Sequence, residues 1–324
     1  MRRLESDSGN LTGMGFDVAH GLMFHHFHSD VHPVGQGSMS GDEFRSMIEF
    51  YGRENFLDAR DWFDRALAGT LEANHVCLTF DDNLQCQYDV ALPVMREMGL
   101  TGFWFVYTSV LHGVKEPLEI FRTFRSTYGS IDDFYGDFFE SVAGGEFGAV
   151  VQAKLDSFDP ASYLVDFPFY SDSDRRFRYV RDEVLGKDAY DSAMYALMLA
   201  KGFDVDSVAE GLWMDRGQLR ELHDEGHVVG LHSHTHPTRL GELSRAEQIA
   251  EYRANYDDLV GVLGSHPVAM SHPCNSYNEE TIGVLDDLGI RLGFRANMVK
   301  PMENQFEFPR VDHAIVLSQM KGEN

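Results

Sequence analysis

Basic residues are scarce in this chain. Its 324 residues carry 27 lysines and arginines against 52 aspartates and glutamates, a formal charge of −25. Phosphate binding needs a basic stripe, and none is visible, so nucleic acid is excluded as a partner. Such a charge mainly serves solubility. Cysteine is scarcer still: Cys77, Cys86 and Cys274 form no CxxC pair and no even-numbered framework. That excludes a disulfide scaffold and favours a reducing compartment. No apolar run reaches the about 18 residues of a membrane helix, so no membrane span is expected. The opening stretch MRRLESDSGNLTGMGFDVAHG has two arginines with no apolar region behind them. It does not read as a secretory leader, and a cytoplasmic location is expected.

What is present is alternation. GLMFHHF (21–27), HVCLTF (75–80), TGFWFVY (101–107), HVVGLHSH (227–234) and HPVAMS (266–271) are short, nearly continuous apolar runs. Strands of a parallel sheet covered on both faces look like this. Helices with readable ends lie between them. Ser244 and Glu247 have capping-box spacing ahead of an apolar stripe at Ile249, Tyr252, Tyr256, Leu259 and Leu263. Asp215 and Gln218 repeat the spacing before a stop at Gly226, and a further helix starts near Asn278 and stops at Gly289. The order strand, helix, strand, helix predicts an α/β fold with a parallel sheet or barrel. Residues 112–212 break this rhythm with aromatic-rich, helix-like segments. They read as a mainly helical insertion between a first barrel half, 15–111, and a second, 213–318. The insertion can be an excursion packed on the barrel, a lid or a surface for homo-oligomer formation.

Two stretches carry chemistry. LTFDDN (78–83) is a strand ending in adjacent carboxylates, at the sheet edge where α/β folds place their sites. Neighbours there point in different directions, so Asp81 and Asp82 can take different tasks; helix capping is the structural alternative. GHVVGLHSHTHP (226–237) brings three imidazoles together at a strand end. His232 and His236 are four apart, a spacing that puts both rings on one face of a helical turn, and Pro237 stops the helix beyond. Two imidazoles and a carboxylate are common ligands of a catalytic divalent cation. His234, between them, faces elsewhere.

TFDDN followed by HSHTHP resembles the first two motifs of the polysaccharide deacetylase family, carbohydrate esterase family 4. The resemblance implies a deformed (β/α) barrel of about seven strands interrupted by the helical insertion. It makes Asp81 the general base and Asp82, His232 and His236 the ligands of one divalent metal, zinc first, with cobalt, nickel or manganese as alternatives. Ser233 would orient the loop, and His25 in GLMFHHF falls at a conserved-type histidine position of the family's first strand. The third motif departs. SHPCNSYN (271–278) keeps Pro273 and the trailing Ser276-Tyr277-Asn278, but has Cys274 at the tyrosine position and Asn275 at the glycine position. Ser271 stands where the family has the arginine that pairs with the base, and Arg310 in FEFPRVDH is the candidate replacement. Asn83 replaces the glycine usual after the aspartate pair. For the general acid, His313 is the first candidate, His272 the second and His25 the third. The backbone N–H of Cys274 is the candidate oxyanion donor, with Pro273, Tyr277 and His25 facing substrate.

The implied activity is metal-dependent removal of an N-acetyl or other N-acyl group from an amino sugar or glycan precursor. Two alternatives stay open: hydrolysis of cyclic amides on the same scaffold, and a non-catalytic sugar-binding protein.

Overall fold

The computed structural model describes residues 17–165, 170–299 and 301–322, so most of the opening stretch read for a leader lies outside the described residues. Two compact units are present. One contains the chain up to His32, Gly37–Val114 and the chain from Leu212; the other contains Pro33–Gln36 and Lys115–Gly211. The helical unit therefore takes in Pro33–Gln36, a segment that the sequence assigned to the barrel. No helix among the described residues is long and apolar enough to cross a membrane.

Seven parallel strands build the first unit: β1 (His20–Phe24), β2 (Val76–Asp81), β3 (Gly102–Val106), β4 (Val228–Leu231), β5 (Ala269–Ser271), β6 (Leu292–Phe294) and β7 (Arg310–Asp312). Their order is β6-β5-β4-β3-β2-β1-β7. The two outer strands approach through the segment before β7: Phe308 N–H donates to Gly293 O at 2.9 Å and Arg295 N–H to Phe308 O at 3.1 Å. The result is a nearly closed, deformed barrel. β6 and β7 were not singled out as strands in the sequence, because three residues carry too little pattern to read.

Alternate residues of each strand enter different cores. Leu22, Phe24, Leu78, Phe80, Trp104, Val229 and Met270 pack outward under the helices. Cys77, Phe103, Phe105, Val228, Ala269, Leu292 and Phe294 point into the barrel, with Trp62 closing its floor. Its indole meets Phe294 and Phe308 at centroid distances of 5.3 and 4.9 Å. The same parity sends Thr79, Asp81, His232, Ser271 and Arg310 inward. A polar layer thus sits on an aromatic floor at the carboxyl end of the strands.

The helices close as their caps foretold. Ser244–Glu247, Asp215–Gln218 and Asn278–Thr281 all form reciprocal capping boxes. The Arg245–Leu263 stripe is shifted, however. Ile249 is exposed, and Gln248, Tyr252, Asn255, Leu259 and Leu263 make the buried face. The second unit is a separate helical body with its own aromatic core, in which Phe124, Phe134, Phe138 and Phe177 are buried.

His227, ahead of β4, ties strands together. Its Nδ1 accepts from Gly102 N–H and Trp104 Nε1–H, each at 3.0 Å. Burial pushes its pKa down to about 4, and two donors facing Nδ1 leave an added proton no acceptor there. Because the folded pKa lies below the unfolded value, this stability is complete above about pH 6.5 and lost as pH falls toward 4. Urea unfolding is therefore expected to lose up to about 3 kcal/mol from this residue across that window. His227→Asn, which offers an amide oxygen without a titratable ring, should flatten the dependence.

Candidate active site

Arg310 and Asp81 form the centre of the polar layer. Nη1 and Nη2 of Arg310 donate to Asp81 Oδ1 and Oδ2 at 2.7 and 2.8 Å, and Nε donates to Arg295 O at 3.0 Å. Both side chains are buried. The guanidinium stem crosses beside Gly21, where an added Cβ would lie 3.1 Å from Arg310 Cγ and 3.0 Å from Thr79 Cγ2. Glycine there leaves room for the arginine. Burial alone would raise the Asp81 pKa; Arg310, then His232, hold it below the ordinary carboxylate value. The arginine lost from the third motif is thus replaced in space from β7, and Ser271 takes a different task.

Asp82 turns away from this pair. It adopts φ +78°, its N–H donating to Phe105 O at 3.1 Å. Its Oδ1 lies 3.4 Å from His232 Nε2 and 3.3 Å from His236 Nε2. One donor atom from each of the three residues falls within 4.8 Å of the others. Oδ1 is buried without a hydrogen-bond partner among the described residues. Burial would raise the Asp82 pKa, but His236, His232 and His25 hold it well down, so the group is anionic. Ligands about 2.0–2.1 Å from a tetrahedral zinc stand about 3.3 Å apart. The carboxylate–imidazole spacings match that edge length, and the donor set fits a divalent cation.

The HxxxH segment is not a helical turn. Ser233 and His236 both take positive φ, +63° and +54°, and His236 N–H donates to Ser233 Oγ at 3.1 Å. This bent loop aims both Nε2 atoms at Asp82. His232 Nδ1–H donates into Ser271, 3.0 Å from its carbonyl and 2.7 Å from its hydroxyl. That bond fixes the tautomer leaving Nε2 available to an ion. Ser271 Oγ–H in turn donates to Asp81 Oδ1 at 3.1 Å, so one serine links the histidine to the other carboxylate. His234 faces elsewhere, 3.0 Å from Thr108 Oγ1.

The three acid candidates separate. His25 Nε2 lies 3.9 Å from both Asp81 Oδ2 and Asp82 Oδ2, on a partly exposed ring. His313 is not brought to the carboxylates. It is buried against Phe24, with Nδ1 3.3 Å from Met23 O and Nε2 2.9 Å from Gly37 O. His272 stacks on Tyr277 at 3.9 Å, its Nε2 2.9 Å from Phe306 O, and burial takes its pKa down to about 3. Tyr277 does not offer its hydroxyl to the site; it donates to Glu307 Oε1 at 2.8 Å. Pro273 is buried at the start of the turn Pro273–Asn275, in which Cys274 is exposed.

The supporting roles of three residues escaped the sequence reading. Asn255 Oδ1 accepts from His232 N–H at 2.9 Å while its amide donates to Val106 O. Gln87 Nε2 donates to the carbonyls of His25 and Asp81 at 2.8 and 2.6 Å. Ser271 is the third. The only available signal was Asn255 lying three positions after Tyr252, on the buried stripe.

Removing one member of a buried ion pair costs about 3–5 kcal/mol, because the other charge stays behind. Arg310→Met should lower urea stability by that order. The double variant Arg310→Met/Asp81→Asn should recover much of the loss. Equal stabilities of the single and double variants would deny the coupling.

The model of the family described as polysaccharide deacetylase matches residues 188–293, which hold the HSHTHP and SHPCNSYN segments but not Asp81 or Asp82. No protein of curated function matches the chain. Among solved structures, the Streptococcus pyogenes deacetylase PplD in complex with acetate is 16% identical, with 91% of each chain covered and a TM-score of 0.54. IcaB from Ammonifex degensii is 16% identical over 91% of this chain and 90% of its own, with a TM-score of 0.50. BC0361, a polysaccharide deacetylase from Bacillus cereus, is 10% identical over 94% and 68%, with a TM-score of 0.51. At such identities the structural likenesses concern the fold. Over residues 188–293 the chain is similar to the polysaccharide deacetylase family, and with these solved structures it shares the deformed barrel fold.

Proposed function

We propose that this protein is a metal-dependent N-deacetylase acting on an amino sugar or glycan precursor. The observation that carries the reading is the convergence of Asp82, His232 and His236 beside a second, separately held carboxylate. Asp82, His232 and His236 would hold one divalent cation, zinc by its fit to two imidazole nitrogens and one carboxylate oxygen. Such an ion supplies Lewis-acid chemistry, lowering the pKa of water and polarising an acyl carbonyl.

The chain's own residues do the rest. Asp81 is the general base. Arg310 keeps it ionised and fixes its plane, leaving its lone pairs to take the proton of an attacking water. His25, not His313 or His272, is the acid that protonates the leaving amine: it faces both carboxylates and is partly open to solvent. The backbone N–H of Cys274 is the oxyanion donor. A main-chain donor tolerates the change from tyrosine to cysteine, and losing such a donor costs about 3 kcal/mol of barrier. Water and the N-acyl amide become a carboxylate and a free amine. The cytoplasm is the proposed compartment, in keeping with three cysteines of which none is in a disulfide. Soluble or carrier-linked precursors are then the substrates rather than finished polymers.

Zinc- or cobalt-loaded protein should release acetate from N-acetylamino sugars. Asp81→Asn should retain about one metal per chain while turnover falls by about 10²–10⁴-fold. His25→Ala should fall by a similar factor and His313→Ala should keep its kcat, as followed by acetate release and metal analysis. Full activity in His25→Ala would remove the acid assignment. Turnover of cyclic amides without acetate release from any N-acetyl sugar would replace the substrate reading.

A further inference from the structure

The helical unit contains an anomaly for so acidic a chain. Arg122 and Arg125 lie one turn apart on the helix Pro117–Ser126, and Arg178 and Arg181 are likewise three apart across the Asp172–Tyr179 helix and its continuation. Same-face like charges destabilise a helix, yet the two pairs also lie near one another, Arg125 standing 6.0 Å from the ring of Phe177, the neighbour of Arg178. Arg125 feels the charges of Arg122 and Arg181, and Arg178 those of Arg181 and Arg125.

Among the described residues, counter-charge is short. Asp182 is taken bidentately by Arg181, at 2.6 and 2.8 Å. Asp174 accepts from Tyr135, Ser171 and Gln36. Arg122 donates to Gln36 O among its partners. Arg125 and Arg178 form no ion pair with a carboxylate among the described residues. The Nε of each is sealed from solvent without a hydrogen-bond partner. Their polar neighbours are the tyrosines Tyr190 and Tyr135, and burial raises both phenols, which stay neutral and supply no negative charge. Arg178 lies over the Tyr170 ring at 4.0 Å and Arg125 over Phe177 at 6.0 Å, so the guanidinium planes are positioned by aromatic faces. Both side chains are half-buried, with only Nε sealed, and a group of rigid forks is the arrangement that recognises a planar or tetrahedral oxyanion.

We infer that Arg125 and Arg178, with Arg122 and Arg181, form an anion site in the helical unit that takes a phosphate or diphosphate group. Two guanidiniums without a carboxylate partner among the described residues call for about two negative charges, which a phosphate ester or diphosphate brings and a single carboxylate does not. The group can be free phosphate or the diphosphate of a carrier-linked compound. This site is independent of the barrel chemistry and stands whether or not the deacetylase reading does.

The test is calorimetric titration of the full chain with inorganic phosphate, pyrophosphate, uridine diphosphate and acetate. Saturable binding of at least one phosphate probe with Kd below about 1 mM is expected, with acetate far weaker. Arg125→Gln/Arg178→Gln should weaken it by at least about tenfold, while Asp82→Ala, which alters the barrel, should leave it unchanged. Tighter uridine diphosphate than pyrophosphate would assign the site to a carrier; equal binding would assign it to the free anion. If the double variant does not fold, Arg178→Lys, which keeps the charge and loses the fork, should still weaken binding. Failure of every phosphate probe to saturate, or undiminished binding in the arginine variants, would overturn the inference.

Discussion

The site depends on one buried ion pair. Arg310 grips both oxygens of Asp81 inside the barrel, and that grip separates two adjacent carboxylates that would otherwise compete. Asp81 is fixed inward and kept anionic; Asp82, one residue later, leaves the strand through a positive φ and presents Oδ1 to two imidazoles. Two carboxylates so close in sequence acquire different chemistry because their environments differ, one a cation clamp and the other a pair of ring nitrogens. Ser271 then joins the halves, accepting from His232 and donating to Asp81.

The backbone is bent wherever the site needs it. Asp82, Asn83, Ser233, His236, Cys274 and Asn275 all have positive φ, and they lie on three loops at the same end of the barrel. Strain of this kind gathers at working sites, where surrounding contacts impose it. It also explains two departures from the family pattern. Asn83 and Asn275 stand where glycine is usual, with φ +59° and +56°. Asparagine is the side chain that tolerates the left-handed region best after glycine. Each amide also adds a bond: Asn83 Nδ2 donates to Met214 O, and Asn275 Oδ1 accepts from Ala296 N–H.

Much of this was legible in the chain, for identifiable reasons. Five strands showed as apolar runs, and two capping-box spacings marked helix starts, because both signals are local. The inward and outward parity of β2 was hidden, since Cys77 and Leu78 are both buried and look alike as letters. The histidine spacing announced a shared target but not its geometry; four residues can meet through a bent loop as well as through a helix. Arg310 was reachable only through the resemblance, because its partner lies 229 positions away. Gly21, which makes space for it, and Asn255, which holds the His232 loop, act through distant contacts that leave no local trace. His313 was the first candidate for the general acid, yet the fold spends it on two backbone carbonyls.

The measurement closest to the centre of these relations is zinc K-edge absorption spectroscopy on the loaded protein. A first shell with two imidazole nitrogens and a carboxylate oxygen at about 2.0–2.1 Å is expected, reverting toward hydrated zinc when Asp82 and His232 are replaced together. A shell lacking imidazole scattering, or one unaltered by that double replacement, would contradict it.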